Sequence, residues 1–268
     1  MRNTEELRKS LLDNGFVHVK GFMTDANLKL LDSAISEVTS NPSPFKIVKN
    51  NEQGCFFMDF NNWRRMPVVE ELCKLPRLVD LVTKLTNSEK CWLMHEDVVV
   101  KSGCHGAPTP IHHDRPYFIF KGDLNLSVWM TAEDVARNSS LTCYRGTHLL
   151  NNLFLPKVFK TGSDASEYPE LDKGEYEVIR DNTFAHNELV DFELKAGDVV
   201  VFFHKTIHGS HPHSSPVSRR SLVVRYLLDG ARLTKKYFNN VPPYEKMGVN
   251  IKEDAPVPEE FFPLLTKD

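Results

Sequence analysis

The sequence has no excess of basic charge and no long apolar run, and each absence excludes a class of protein. Its 33 Lys and Arg residues are outnumbered by 36 Asp and Glu residues, giving a formal net charge of -3. Binding to a nucleic-acid backbone depends on clustered positive charge, so we expect no nucleic-acid partner. A membrane helix needs about 20 consecutive apolar residues. No window of this chain approaches that length, so we expect no membrane partner.

Cysteine is also scarce, and its spacing indicates neither a disulfide framework nor a short cysteine metal motif. The five cysteines form no CxxC pair, and an odd number in a chain of this length is not typical of a disulfide scaffold. Residues 1–15 carry charges throughout, whereas a signal peptide needs a central apolar run. These observations predict a cytoplasmic protein. The cysteines are Cys55, Cys73, Cys91, Cys104 and Cys143.

What remains is the composition of an ordinary globular protein, with 41% hydrophobic and 26% charged residues in a chain of 268. Helical patterns dominate the first third. A short helix closed by Gly15 precedes a strand at FVHVKGF, and a longer helix ends at the NPSP sequence. Pro67 and Pro76 each suit the first turn of a further helix.

From Cys91 onward the pattern changes to short β-type runs separated by Gly, Pro, Asn and Asp. This spacing is typical of an antiparallel barrel or a jelly roll, so we predict a mainly β fold with flanking helices in one domain. The predicted parts are a helical part (1–90), a jelly-roll core (91–230) and a C-terminal extension (231–268). Residues 151–187 are too long for a hairpin loop and are predicted to be a lid or insertion over a site.

Two histidines and one aspartate are the candidate metal ligands. His112 and Asp114 are two positions apart in PIHHDRPYF, and on a strand a period of two places both side chains on one face. His208 lies 94 positions after Asp114 and completes a set of two histidines and one carboxylate. This set is the facial triad of non-haem Fe(II) oxygenases, which leaves open coordination positions on the metal. His113 and His204 stay open as alternative ligands, and the alternation favours His112.

A candidate anchor for a cosubstrate follows the last of these ligands. Arg219 lies 11 residues after His208 in the strand SRRSLVVRY. A guanidinium matches a carboxylate, and a cosubstrate that chelates iron at one end and carries a carboxylate at the other needs such an anchor. 2-Oxoglutarate has that shape. Arg220 is expected to point away from the site and to form a surface salt bridge.

In the order and spacing of these segments, the sequence resembles the phytanoyl-CoA dioxygenase family of Fe(II)- and 2-oxoglutarate-dependent oxygenases. The matching segments are GFVHVKGF, IHHDRPYF, SVWMTAED, YRGTH, AGDVVVFF, IHGSHPHSS and RRS. The resemblance implies a double-stranded β-helix (jelly roll, cupin-like) fold and iron ligation by His112, Asp114 and His208. It also implies that Arg219, Trp129 and Ser210 contact 2-oxoglutarate. The implied reaction uses O2, releases succinate and CO2, and hydroxylates a substrate C–H bond.

The substrate is expected to be a small polar, anionic molecule. Segments such as FFMDFNNWRR and HEDVVVKSG resemble a branch of the family that includes hydroxylases of aminoalkylphosphonates, so an organophosphonate is one expected substrate. Lys101 and Arg115 are the candidate groups for binding the anion because each lies beside a strand of the site. Two alternatives stay open: a non-catalytic metal-binding jelly-roll protein, and the same iron chemistry with desaturation or cyclisation as its outcome.

Overall fold

Four helices form the first layer of the structure, a computed structural model that describes residues 3–51, 54–102, 108–157, 176–213, 215–235, 238 and 242–266. Two of the helices begin at Pro67 and Pro76, as the sequence predicts. Asn3 and Thr24 cap the first two helices with their side chains, and prolines occupy the first turns of the other two. The helices are α1 (Thr4–Asn14), α2 (Asp25–Ser40), α3 (Pro67–Cys73) and α4 (Pro76–Thr86). Among the described residues, no helix is both long and apolar enough to cross a membrane.

Two facing β-sheets make up most of the remaining structure. The larger sheet has seven strands in the order β1-β12-β7-β14-β4-β3-β2, and the smaller has four in the order β11-β8-β13-β5. The strands of the larger sheet are β1 (Phe16–Val19), β2 (Ile47–Asn51), β3 (Gly54–Phe60), β4 (Cys91–Lys101), β7 (Leu126–Thr131), β12 (Val199–Phe203) and β14 (Arg219–Leu228). Those of the smaller sheet are β5 (Thr109–His112), β8 (Leu141–Tyr144), β11 (Leu189–Asp191) and β13 (His208–Ser210). Two short pairs complete the described strands: β6 (Phe120–Lys121) with β15 (Arg232–Leu233), and β9 (Leu153–Phe154) with β10 (Tyr176–Glu177).

The larger sheet separates the helices from the site. On β14, Leu222, Val224 and Tyr226 pack in the core beside the helices. Their alternate neighbours on β14, Arg219 and Arg225 among them, face the space between the sheets. This arrangement confirms the predicted mainly β, jelly-roll fold with flanking helices. It also explains why the chemically active residues of a strand occupy every second position.

The structure differs from the sequence expectation in the first third of the chain. There a hairpin of β2 and β3 pairs with β4 and extends the larger sheet at its edge. The segment FFMDF, at positions 56–60, lies on β3 of this hairpin. The hairpin gains its stability by pairing with β4, which is distant in sequence. No local sequence pattern therefore predicts the hairpin.

The C-terminal extension has mostly irregular backbone, yet several of its side chains are buried in the core. Tyr244, Val249, Ile251, Val257 and Phe262 are buried in one cluster. Backbone hydrogen bonds from Leu93 to Pro263 and from Leu265 to Cys91 fasten it to the start of β4. The extension therefore completes the core at one end of the sheets.

Candidate metal centre

Three side chains from the smaller sheet and the turn beside it converge between the two sheets. His112 ends β5, His208 begins β13, and the two are directly paired across the antiparallel ladder. Asp114 follows β5, and its carboxylate lies 3.7 Å from Nε2 of each histidine. One donor atom from each residue lies within 4.8 Å of the others, and all three residues are buried. The three predicted ligands are thus brought together.

The backbone at Asp114 shows that this residue lies beside His112 for a different reason from the one predicted. The strand ends at His112, and Asp114 has helical backbone angles (φ -71°, ψ -28°) as the cap of the 3-10 helix Arg115–Tyr117. Strand alternation therefore does not place Asp114 beside His112. A turn does so, because the proline of the following Arg-Pro-Tyr segment suits the start of the short helix.

Hydrogen bonds fix which nitrogen of each histidine faces the centre. Nδ1 of His112 lies 2.7 Å from the carbonyl oxygen of Pro110, and Nδ1 of His208 lies 2.9 Å from that of Thr206. A carbonyl oxygen only accepts, so each Nδ1 donates its proton, and in a neutral ring the lone pair then lies on Nε2. Burial lowers the pKa of His208 to about 3, so this ring is neutral at physiological pH. Neutral imidazoles held by backbone carbonyls are the usual form of metal-binding histidines.

Arg225 holds the third ligand in its charged form. Its guanidinium bonds Oδ2 of Asp114, and its Nη1 also donates to the Ser127 hydroxyl at 2.7 Å. Burial alone raises the pKa of the Asp114 carboxyl, but the neighbouring charge of Arg225 outweighs burial and holds that pKa well below its usual range. Oδ1, the oxygen nearer the two histidines, is then an ionised ligand atom.

Arg225 is a functional residue that the sequence analysis missed. Besides Asp114, its guanidinium binds Asp97 of β4, with Nε to Oδ2 at 2.8 Å. Asp97 lies 3.4 Å from the ring of His95, whose other nitrogen bonds the Tyr244 hydroxyl at 2.6 Å. A signal was present in SRRSLVVRY, because Arg225 lies six positions after Arg219 and so on the same face of the strand.

The two alternative ligand histidines lie elsewhere. His113 is buried, and its Nε2 accepts the backbone N–H of Phe154 at 3.0 Å, so it is neither solvent-facing nor directed at the centre. His204 follows the end of β12 and packs edge-on against Phe118 at 5.0 Å between ring centroids. Burial lowers the pKa of both rings to about 3.

The predicted cosubstrate contacts lie close to one another. Arg219 begins β14, and its guanidinium carbon lies 5.9 Å from the ring centroid of Trp129. Ser210 ends β13 and accepts a hydrogen bond of 2.7 Å from the ammonium group of Lys101. Arg220 points the other way and pairs with Asp32 and Glu133, as expected.

A cavity of about 340 Å³ is lined by the three ligand residues together with Trp129 and Arg219, whereas Ser210 and Lys101 are not among its lining residues. One wall is apolar and comes from the β2–β3 hairpin, with Ile47, Phe56 and Met58. Arg115 is not among the lining residues, because its guanidinium donates to the carbonyl of Phe120 at 3.0 Å. The structure therefore places Arg115 away from the position that a substrate-binding cation needs. Of the predicted lid, residues 158–175 lie outside the described residues, and Lys157 at its start lines the cavity.

A jelly roll that carries two histidines and an aspartate beside an internal cavity defines a class of metal-dependent oxygenase scaffold, and sequence comparison identifies the family. The profile of the phytanoyl-CoA dioxygenase family matches residues 11–221, and the chain belongs to that family.

Individual relatives agree with the family profile. The chain is 31% identical over 173 residues to a probable phytanoyl-CoA dioxygenase of Caenorhabditis elegans, covering 61% of this chain and 52% of that relative. It is 24% identical over 246 residues to the human peroxisomal phytanoyl-CoA dioxygenase, covering 82% of this chain and 67% of that protein. The chain thus spans about half to two thirds of the length of these relatives.

Solved structures show the same fold. The non-haem α-ketoglutarate-dependent epimerase SnoN of nogalamycin biosynthesis superposes with a TM-score of 0.76 at 21% identity, covering 98% of each chain. EctD from S. alaskensis superposes with a TM-score of 0.68 at 17% identity, covering 88% of this chain and 81% of EctD. At these identities the likeness establishes the fold.

Proposed function

We propose that this protein is an Fe(II)- and 2-oxoglutarate-dependent dioxygenase that hydroxylates a C–H bond of a small molecule. The observation that carries the proposal is the convergence of one ligand atom from each of two histidines and one carboxylate, all within 4.8 Å of one another. This donor set suits Fe(II) and occupies one face of the metal. The family membership of the chain agrees with it.

The residues of the site fit both Fe(II) and 2-oxoglutarate. His112, Asp114 and His208 would hold the iron, and the backbone carbonyls behind the histidines already select the right tautomer. Arg219 would hold the distal carboxylate of 2-oxoglutarate. It is 5% exposed and lines the cavity, and its Nε has no hydrogen-bond partner in the described part of the chain. A buried donor without a partner is costly, and a carboxylate supplies the missing acceptor.

When bound, iron and 2-oxoglutarate together activate O2, releasing succinate and CO2 and oxidising the substrate. The protein's part is positioning and exclusion of water. Arg225 holds Asp114 in place, and Trp129, Phe202 and Val223 line the cavity as apolar walls that exclude water from it.

We also propose that the substrate is small and anionic. A cavity of about 340 Å³ is near the lower end of the range for small-molecule sites and favours a small substrate. Lys157 among the lining residues favours an anionic group such as a carboxylate or a phosphonate, while Ile47, Phe56 and Met58 would contact its carbon skeleton. The cytosolic location stays a prediction; the human relative is named as a peroxisomal protein.

A spectroscopic experiment tests the metal and cosubstrate assignment. Under anaerobic conditions, Fe(II) and 2-oxoglutarate together should give a weak visible charge-transfer band with the native protein. Asp114→Ala removes a ligand and should abolish the band, whereas Asp191→Ala, on β11 and bonded to His211, should retain it. A native protein without the band would favour the non-catalytic metal-binding alternative.

Succinate release across a panel of small phosphonates, amino acids, betaines and acyl-CoA compounds tests the substrate class. Stimulation by phosphonates or small carboxylates is the expected result. Stimulation by acyl-CoA compounds alone would contradict the small-anion proposal. Analysis of the organic product separates hydroxylation from desaturation or cyclisation.

A further inference from the structure

Two polar side chains of β4 face the cavity beside the metal ligands. His95 and Asp97 are two positions apart on this strand, so both lie on the face that lines the cavity. Glu96, between them, points the other way and accepts the backbone N–H groups of Asn62 and Trp63. His95 and Asp97 are both buried, with 0% and 1% of their surface exposed, so their polar atoms meet either the protein or a molecule in the cavity.

Each of these side chains has one atom without a hydrogen bond to any described part of the chain: Nε2 of His95 and Oδ1 of Asp97. The two atoms lie 3.4 Å apart. The opposite atom of each side chain is already paired. Oδ2 of Asp97 accepts from Nε of Arg225 at 2.8 Å, and Nδ1 of His95 bonds the Tyr244 hydroxyl at 2.6 Å. A buried polar atom without a partner is costly, so the two atoms indicate a ligand group that contacts both.

The chemistry of the two atoms defines that group. Burial raises the pKa of Asp97, but the charge of Arg225 outweighs burial and lowers that pKa, so Oδ1 is an anionic acceptor. Burial lowers the pKa of His95, so its ring is neutral. A lone pair on Nε2 would face this anionic oxygen, so the stable tautomer carries its proton on Nε2 and Tyr244 donates to Nδ1. The cavity wall thus presents one donor beside one anionic acceptor.

We propose that His95 and Asp97 bind a hydroxyl group of the substrate. This inference rests on the proposed function and adds a second polar group to the small anionic substrate. A hydroxyl oxygen accepts from Nε2–H while its proton goes to Oδ1, whereas an ammonium group only donates and leaves Nε2–H unpaired. Arg225 bonds Asp97 and the metal ligand Asp114 with the same guanidinium, so a hydroxyl held here places the attached carbon chain beside the metal centre.

Nuclear magnetic relaxation of small probes tests the hydroxyl site directly. Protein loaded with Mn(II) and saturating 2-oxoglutarate shortens the proton relaxation times of a small molecule that binds beside the metal, so titration gives the affinity of each probe. The probes are 4-hydroxybutanoate, butanoate and 4-aminobutanoate, which share a carboxylate and a carbon chain and differ only in the terminal group. The native protein should bind 4-hydroxybutanoate about 10-fold more tightly than the other two, as expected for a hydrogen bond to a charged group.

Two variants remove the two halves of the site separately. Asp97→Asn keeps the shape of the side chain but replaces the anionic acceptor, so the preference for 4-hydroxybutanoate should be lost. His95→Leu removes the donor without touching Arg225 and should weaken the binding of 4-hydroxybutanoate while leaving butanoate unchanged. The control is Asp32→Asn, which changes an aspartate that also pairs with an arginine of β14, Arg220, but does not line the cavity. It should keep the native preference.

Calorimetric titration of each protein with 2-oxoglutarate in the presence of Mn(II) separates this inference from the proposed function. If the native protein binds 2-oxoglutarate but shows no preference for 4-hydroxybutanoate, or prefers 4-aminobutanoate, the inference is overturned and the proposed function stands. A preference that survives in His95→Leu overturns it as well, and this variant decides the outcome if Asp97→Asn loses 2-oxoglutarate binding through Arg225. A native protein that does not bind 2-oxoglutarate refutes the proposed function and the inference together.

Discussion

At the scale of single residues, Arg225 connects the metal centre to the larger sheet. Its guanidinium bonds Asp114 on one side and Asp97 of β4 on the other, and all three side chains are buried. Removing one partner of such a group leaves an uncompensated charge in the interior. The position of Asp114 therefore depends on a residue 111 positions away in the chain.

Arg225→Lys should weaken metal binding by about 10- to 100-fold, the range observed when groups behind metal ligands are changed. Lysine keeps the charge but lacks the planar fork that binds two carboxylates at once. Titration with Mn(II), followed by electron paramagnetic resonance, measures the affinity. Arg220→Lys is the matched control, since Arg220 also binds two carboxylates but lies on the other face of β14. Equal affinities in the two variants would contradict the role of Arg225.

Some residues of the site could be predicted from the sequence alone, and others could not. Spacing and residue type identified His112, Asp114, His208 and Arg219, because each chemical role needs a particular kind of side chain. Arg225 was missed because its role depends on Asp97, which belongs to a different strand, and that pairing is visible only after folding. Lys101 was identified as a candidate, but its neighbour Ser210 comes from the opposite sheet.

At the scale of elements, the turn between α1 and β1 supports the segment that carries His208. Gly15 has φ +87°, and its carbonyl oxygen accepts the Thr206 hydroxyl at 2.6 Å. The carbonyl of Thr206 in turn accepts Nδ1 of His208 at 2.9 Å. A Cβ atom at Gly15 would lie 2.5 Å from the ring of His148 and 2.8 Å from the Thr206 hydroxyl.

Gly15→Ala should therefore lower the free energy of unfolding by about 3 kcal/mol, through backbone strain together with steric overlap. Gly146→Ala is the matched control, because Gly146 also has positive φ (+76°) but no atom lies within 4 Å of the added Cβ. The control should lose only about 1 kcal/mol. Urea unfolding followed by circular dichroism measures both values, and equal losses would show that the overlap is relieved without cost.

The elements themselves were predictable where the signal was local. First-turn prolines, the NPSP sequence and Gly15 helped to predict the four helices, and the short β-type runs predicted β4, β7, β12 and β14. The β2–β3 hairpin and the turn at Asp114 were not predicted, since each depends on contacts with distant parts of the chain. Strand propensity is a weak guide where pairing partners decide the outcome.

At the scale of the whole molecule, the interior holds several histidines in their neutral form. Burial lowers the pKa of His113, His204 and His208 to about 3. In the unfolded chain these rings have the ordinary pKa near 6.5. Between these two values the unfolded state binds more protons than the folded state, so acidification favours unfolding.

The metal-free protein should therefore lose stability as the pH falls from about 6.5 towards 3, by up to about 4 kcal/mol per pH unit from these three rings together. Unfolding free energies from urea titrations at successive pH values measure the slope. His204→Gln removes one of the three titrating rings, so it should reduce the slope by about 1.4 kcal/mol per pH unit. A stability that stays level from pH 6.5 to 4 would contradict the neutral, buried state of the three histidines.

The C-terminal extension has a consequence for biosynthesis. Tyr244 is the hydrogen-bond partner of His95, and the chain around Phe262 covers the beginning of β4. During translation these residues leave the ribosome after every strand of the two sheets. A nascent chain that has already released both histidine ligands and Asp114 still exposes the end of its core. Quality-control factors that recognise exposed apolar surface thus meet an incompletely buried core until residues 242–266 have been synthesised.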